Sequence, residues 1–150
     1  MESNIALSAL QKKFTTSLSE YYPETEIRSI FHLACEQLLS YSKIDILLRA
    51  HQPISAENLE EFDKVLGRLL SWEPIQYILK NTTFFGKPFY VDQNVLIPRQ
   101  ETEELVDWIL KSERGSSQHI LDLGCGSGAI AISLAMHMNT AMVSACDISR

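Results

Sequence analysis

Five residues, Gly124-Cys125-Gly126-Ser127-Gly128, constrain this chain more than any others. Before them runs the aliphatic segment His119-Ile120-Leu121-Asp122-Leu123, which the pattern predicts as a buried strand. After them a helix is expected from Ala129 to Met138 and a second strand from Ala141 to Asp147, the start of a βαβ unit in an α/β domain. Alternate glycines let the backbone turn sharply and leave no side chain between main chain and ligand, while a helix N-terminus offers free amides. Gly124, Cys125, Gly126, Ser127 and Gly128 are therefore expected to bind a nucleotide-like cofactor. Asp147, 23 residues after Gly124, is placed to hold a ribose diol. Spacing alone does not name the cofactor, because Gly124, Gly126 and Ala129 also satisfy the dinucleotide pattern G-x-G-x-x-G/A. Cys125 stands at a helix N-terminus, which favours thiolate, but no adjacent histidine offers a base.

The residues before the loop fall into two parts. Up to about residue 73 apolar positions recur at helical spacing. Leu7, Leu10, Phe14 and Leu18 form one stripe, and Ile27, Ile30, Phe31, Ala34, Leu38 and Tyr41 a second. A short helix over 42–50 is capped by Ser42, and a fourth, capped by Ser55, carries Leu59, Phe62, Leu66, Leu69 and Leu70. Pro74 should stop it near Trp72. Residues 74–98 are expected to link this bundle to the last domain through a hairpin, with Thr82 to Phe85 and Phe89 to Val91 as strands and Gly86-Lys87-Pro88 between them. From residue 99 the glycine-loop domain begins with a helix whose first turn holds Glu101, Glu103 and Glu104 and whose apolar stripe is Leu105, Trp108 and Ile109. Gly115-Ser116-Ser117 then makes a flexible break. Two strands with one crossover helix leave a parallel sheet with an uncovered face, so the sequence reads as truncated.

Composition narrows the function. Hydrophobic residues at 45% and charged residues at 21% describe an ordinary globular chain. The net charge of -6 leaves neither half basic, which argues against nucleic acid as a direct partner. Residues 123–146 carry no Asp, Glu, Lys or Arg, but three glycines, three serines, His137, Asn139 and Thr140 exclude a membrane span. The start, Met1-Glu2-Ser3-Asn4, has no secretory pattern, and a cytoplasmic location is expected. Three cysteines without C-x-x-C spacing and four scattered histidines predict neither disulfide framework nor metal site. Cys35 and Cys146 are expected as small buried hydrophobes, and Trp72 and Trp108 as core residues.

Asp122, two residues before Gly124, gives the loop a closer likeness. An acid leading into Gly-x-Gly-x-Gly resembles the first motif of class I methyltransferases, which implies S-adenosylmethionine as cofactor and Asp147 as its ribose ligand. A second segment is narrower still. Asn94-Val95-Leu96-Ile97-Pro98-Arg99-Gln100-Glu101-Thr102-Glu103, taken with Glu73-Pro74-Ile75-Gln76-Tyr77-Ile78-Leu79 and Phe85-Gly86, resembles the release-factor glutamine methyltransferases of the HemK/PrmC type. The likeness covers essentially the whole chain, although Gln100 stands where that family usually has a second proline. It implies a Rossmann-like methyltransferase domain begun at residue 99 and a helical domain, 1–73, that helps to receive the substrate protein. It further implies methylation of a glutamine side-chain amide in peptide chain release factors, with Arg99, Glu101 and Thr102 lining the active site, no metal, and a monomer at full length. The family's catalytic Asn-Pro-Pro-Tyr does not occur in these 150 residues, so no catalytic residue is assigned within them and the fragment is expected to be inactive alone. Competing readings are an adenine-N6 nucleic-acid methyltransferase, an NAD-binding oxidoreductase and a non-catalytic protein-binding fragment.

Overall fold

The computed structural model describes residues 5–112 and 118–149, which divide into two compact units, 1–79 and 80–150. The expected break at Gly115-Ser116-Ser117 lies outside the described residues.

The first unit is helical. A two-residue strand β1 (Ile5–Ala6) leads into α1 (Leu7–Leu18), followed by α2 (Glu24–Leu39) and α3 (Lys43–Leu48). Strand β2 (Pro53–Ile54) returns to pair antiparallel with β1, and α4 (Ala56–Leu70) and α5 (Ile75–Leu79) complete the unit. The α1 stripe is buried as its period requires, at Leu7, Leu10, Phe14 and Leu18. Phe14 sits at the centre, edge-on to Phe31 and to Phe62 at centroid distances of 5.4 and 5.9 Å. Ser42 caps α3 in a reciprocal capping box with Asp45, and Ser55 caps α4 through the Asn58 amide.

Several expectations are corrected here. Helix α2 stops at Leu39 rather than running to about Tyr41, because Ser40 turns left-handed and its N–H closes onto the Cys35 and Glu36 carbonyls. Helix α5 belongs with the bundle, since Ile75 and Ile78 are buried in its core. The β1–β2 pair went unforeseen because two-residue strands carry no periodicity. Trp72 is not core: its side chain is 65% exposed.

The second unit opens with a hairpin, β3 (Thr82–Phe84) against β4 (Lys87–Phe89), in register Thr82↔Phe89 and Phe84↔Lys87. Its turn is Phe85-Gly86, both with positive φ (49° and 71°), so Lys87 and Pro88 belong to the strand and not to the turn. Helix α6 (Gln100–Ser112), strand β5 (His119–Leu123), helix α7 (Ala129–His137) and strand β6 (Met142–Cys146) follow. Strands β5 and β6 pair in parallel, His119 opposite Met142 and Leu123 opposite Cys146, which is the expected βαβ.

One face of this two-stranded sheet, through Ile120 and Val143, packs on a cluster of Phe84, Phe89, Val106, Ala129, Leu134 and Met138. The other is open. Leu121 and Leu123 are 60% and 71% exposed, so β5 is half-buried rather than buried through. The stripe of α6 is likewise rotated from expectation: Val106 is fully buried, Ile109 partly, while Leu105 and Trp108 face outward. Cys146, at the end of β6, is exposed, whereas Cys35 is buried and its thiol is pushed up to about 12 by that burial.

Removing the Phe14 ring opens a cavity where three rings meet. Phe14→Ala is expected to destabilise the helical unit by about 3–5 kcal/mol, read as a lowered urea midpoint of the helical circular dichroism. A loss below about 1 kcal/mol would mean that the core is not organised around this ring.

Candidate cofactor site

The loop between β5 and α7 has the backbone that its glycines predict. Gly124, Gly126 and Gly128 all adopt positive φ, at 74°, 53° and 76°. Left-handed backbone at every second position explains the alternation without reference to any ligand. Gly128 is also the N-cap of α7 and has no side chain with which to cap it.

Two carboxylates from the strand ends do that work. Asp122 Oδ2 accepts the Ala131 N–H at 3.2 Å, inside the first turn of α7. Asp147 Oδ2 accepts the Gly126 N–H at 2.7 Å, and Asp147 Oδ1 accepts from Ser149 at 2.7 Å. Three further amides reach backbone carbonyls: those of Gly124 and Cys125 both reach the Cys146 carbonyl at the end of β6, and that of Gly128 reaches the Cys125 carbonyl. Five amides that might have pointed at an anionic ligand are thus satisfied within the protein.

The same acids set the local electrostatics. Hydrogen bonds from Ser149 and Gly126 hold the Asp147 carboxyl below its usual range, so it is ionised at neutral pH. The Cys125 thiol is raised, first by desolvation and then by the charges of Asp122 and Asp147. The expectation that a helix N-terminus favours thiolate at Cys125 is therefore reversed, because desolvation and the two neighbouring carboxylates both disfavour the thiolate.

Beside the loop lies a cleft of about 660 Å³, lined by Lys87, Phe89 and Tyr90 of the hairpin region, Asn94 and Val95, Gly126 and Ser127, and Ile132 of α7. The segment 92–95 is held there by two hydrogen bonds: Asp92 accepts the Asn94 N–H in an Asx turn, and Ser149 Oγ donates to the Asn94 carbonyl at 3.2 Å. Val95 Cβ stands 3.9 Å from where a Cβ on Gly126 would lie. That last distance is an ordinary contact, so Gly126 is required by its φ rather than by lack of room.

Of the residues expected to line the site, Gly124, Cys125, Gly126, Ser127, Gly128 and Asp147 come together. Arg99 and Glu101 are exposed at the start of α6, and Thr102 donates its N–H to the Arg99 carbonyl. Among the described residues no hydrogen bond joins these three to the loop. Sequence reasoning missed Glu103, whose Oε1 accepts the Phe85 N–H at 2.7 Å and so ties the hairpin turn to the first turn of α6. Its signal was the Phe85-Gly86 turn, which needs an outside acceptor for an amide aimed away from the ladder. Among the described residues no cluster of histidine, cysteine or acid could hold a metal ion, and no helix is long and apolar enough to cross a membrane.

A parallel βαβ start with a glycine loop and an acid closing each strand defines the class I methyltransferase type of site, and residues 100–150 match the methyltransferase small domain family model. Residues 9–79 match the model of the PrmC N-terminal domain. The chain belongs to the release factor glutamine methyltransferase family. It is 43% identical over 141 residues to a protein of Flavobacterium psychrophilum with that name, a match covering 91% of this chain and 50% of the relative. The like-named protein of Bacteroides thetaiotaomicron is 42% identical over 133 residues, covering 89% and 48%, and that of Lactococcus lactis 44% over 109 residues, covering 73% and 40%. The chain spans about half the length of these relatives.

Asp147 has a depressed folded pKa, so its bracing of the loop is fully present above the ordinary value of 3.8 and is lost as pH falls through the lower folded value. A carbon-detected titration of its carboxyl should show a midpoint below 3.8; a midpoint above it would contradict the two amide bonds. Cys125, conversely, should be alkylated by iodoacetamide with a pH midpoint above the ordinary 9.0.

Proposed function

We propose that the protein to which these residues belong transfers a methyl group from S-adenosylmethionine to the side-chain amide nitrogen of a glutamine in a peptide chain release factor. The observation that carries the cofactor assignment is the pair of strand-end carboxylates, Asp147 on the Gly126 amide of the loop and Asp122 on the Ala131 amide in the first turn of α7. A dinucleotide pyrophosphate needs such amides free and a positive field, as at other helix N-termini that bind phosphate. Here Asp122 and Asp147 put carboxylates beside the loop, which suits a ligand that carries positive charge on sulfur and on an ammonium group. NAD is the poorer fit.

When bound, S-adenosylmethionine supplies an electrophilic methyl on its sulfonium. Gly124, Cys125, Gly126, Ser127 and Gly128 are the residues that would lie against its amino-acid portion. Asp147 would accept the ribose hydroxyls on lone pairs that its backbone bonds leave open, since a carboxylate accepts about four hydrogen bonds. Its ionisation at neutral pH keeps those bonds charge-assisted. Arg99, Glu101 and Thr102, at the head of α6, are assigned to the wall of the active site on family likeness. A primary amide nitrogen is a poor nucleophile, and in the family Asn-Pro-Pro-Tyr orients it by accepting its hydrogens; these 150 residues do not contain that motif. The reaction is accordingly assigned to a protein of the relatives' full length, cytoplasmic and monomeric, in which this chain supplies the helical unit and the cofactor loop.

The complete product of the gene, incubated with methyl-labelled S-adenosylmethionine and a release factor, should label one glutamine, and the 150-residue polypeptide should label none. Asp147→Ala should weaken S-adenosylmethionine by about 1–3 kcal/mol in calorimetry. Transfer to DNA adenine instead of glutamine would overturn the substrate; an unchanged dissociation constant would remove Asp147 from the cofactor site.

A further inference from the structure

Helix α4 ends at an unusual place for a tryptophan. The Trp72 N–H bonds to the Leu69 carbonyl and the Glu73 N–H to the Arg68 carbonyl, which makes Trp72 the left-handed closing residue of a Schellman motif, with φ of 63°. Glycine is the usual occupant, because a β-carbon is strained in that conformation. The indole does not repay the strain by burial, being 65% exposed. It is held instead against two tyrosines. Tyr21, 43% exposed, stands nearly perpendicular to it (81°) at 5.7 Å between centroids, and Tyr22 leans on it at 5.8 Å. Tyr22 is itself anchored, its hydroxyl donating to the Leu69 carbonyl at 3.1 Å.

Tyr21 and Trp72 thus pack in a T-shaped edge contact while both keep solvent-exposed surface, and exposed ring surface attracts a cation through the ring quadrupoles. The surrounding charge points the same way. Glu20 adjoins Tyr21, and the Glu26 carboxylate acts on the Tyr22 hydroxyl. Neither acid forms an ion pair among the described residues, whereas Arg28, two residues from Glu26, pairs with Glu24, and Arg68, four before Trp72, is taken up by Glu73 in a two-pronged pair at 2.5 and 2.6 Å. Residues 1–75 as a whole carry eleven acids against seven bases.

We propose that Tyr21, Tyr22 and Trp72, with Glu20 and Glu26, form a docking ledge for an arginine side chain presented by a protein partner. The ledge is open, so a partner's surface around the arginine adds contact area to what the side chain itself makes. Arginine is favoured over lysine because a planar guanidinium stacks on one ring while its edge donates to a carboxylate. The strain at Trp72 fits this use, since strained backbone is retained where a side chain must be displayed. This surface goes beyond the proposed methyl transfer and needs no cofactor.

The test follows the indole N–H resonance of Trp72 in the 150-residue chain, with that of Trp108 as internal reference. The probe is acetyl-Gly-Arg-Gly-amide, and its controls are the citrulline analogue and free arginine. The arginine peptide is expected to shift Trp72 saturably and leave Trp108 in place, binding at least about threefold more tightly than either control. Trp72→Gly relieves the backbone strain, so the chain stays folded, yet it should weaken the peptide by about tenfold, followed on the Tyr22 ring protons. Glu20→Gln with Glu26→Gln should cost about threefold and flatten the salt dependence. Equal binding of citrulline and arginine, equal binding of free arginine, or undiminished binding by Trp72→Gly would each overturn the proposal.

Discussion

The second unit is organised around an exchange in which strand ends supply carboxylates to a loop that has too few acceptors of its own. Gly128 starts α7 without a capping side chain, and the left-handed turns at Gly124, Gly126 and Gly128 leave amides aimed away from any ladder. Asp147 meets the Gly126 amide from the end of β6, and Asp122 meets the Ala131 amide of α7 from the end of β5. The Asp147 bond needs the two strands to be paired in parallel and in register, because one residue of slip in β6 would carry that acid to the opposite face. The loop is therefore a product of the sheet, and its charge is a product of the loop.

Consequences for ligand choice follow from that charge. Glycine-rich turns at helix N-termini serve both phosphates and uncharged or cationic adenosyl ligands, and the backbone alone does not separate them. What separates them here is occupancy: four loop amides and that of Ala131 have internal acceptors, and two of those acceptors are carboxylates. The hairpin side of the cleft is fixed in a comparable manner. Glu103 closes the Phe85-Gly86 turn onto α6, and Ser149, one turn past Asp147, holds the Asn94 carbonyl. A segment that sequence reasoning valued for Arg99, Glu101 and Thr102 thus contributes most directly through Asn94, Val95 and Glu103.

Much of this was legible in the sequence wherever a period or a cap carries the information. The α1 stripe, the Ser42 and Ser55 caps, the hairpin and the βαβ start all appear as expected, because helical spacing, hydroxyl caps and alternate glycines act locally. The failures have a common cause. Trp72, Trp108, Leu105 and Cys146 were assigned to the core on hydrophobicity, yet helix phase and a sheet covered on one side only decide which apolar residues find a partner. Lys87-Pro88 looked like turn residues, but an edge strand tolerates proline, and the turn fell instead on Phe85-Gly86. The reversal at Cys125 is of another kind, since its neighbours Asp122 and Asp147 are close only after β5 and β6 have paired.

The central claim is that the carboxylates of Asp122 and Asp147 suit the glycine loop to a cationic adenosyl ligand rather than to a pyrophosphate. Calorimetric titration of the complete gene product with S-adenosylmethionine and, separately, with NAD at low salt tests it most directly. Saturable binding of S-adenosylmethionine with no heat from NAD is the predicted result. Binding of NAD as tight as, or tighter than, that of S-adenosylmethionine would contradict the account.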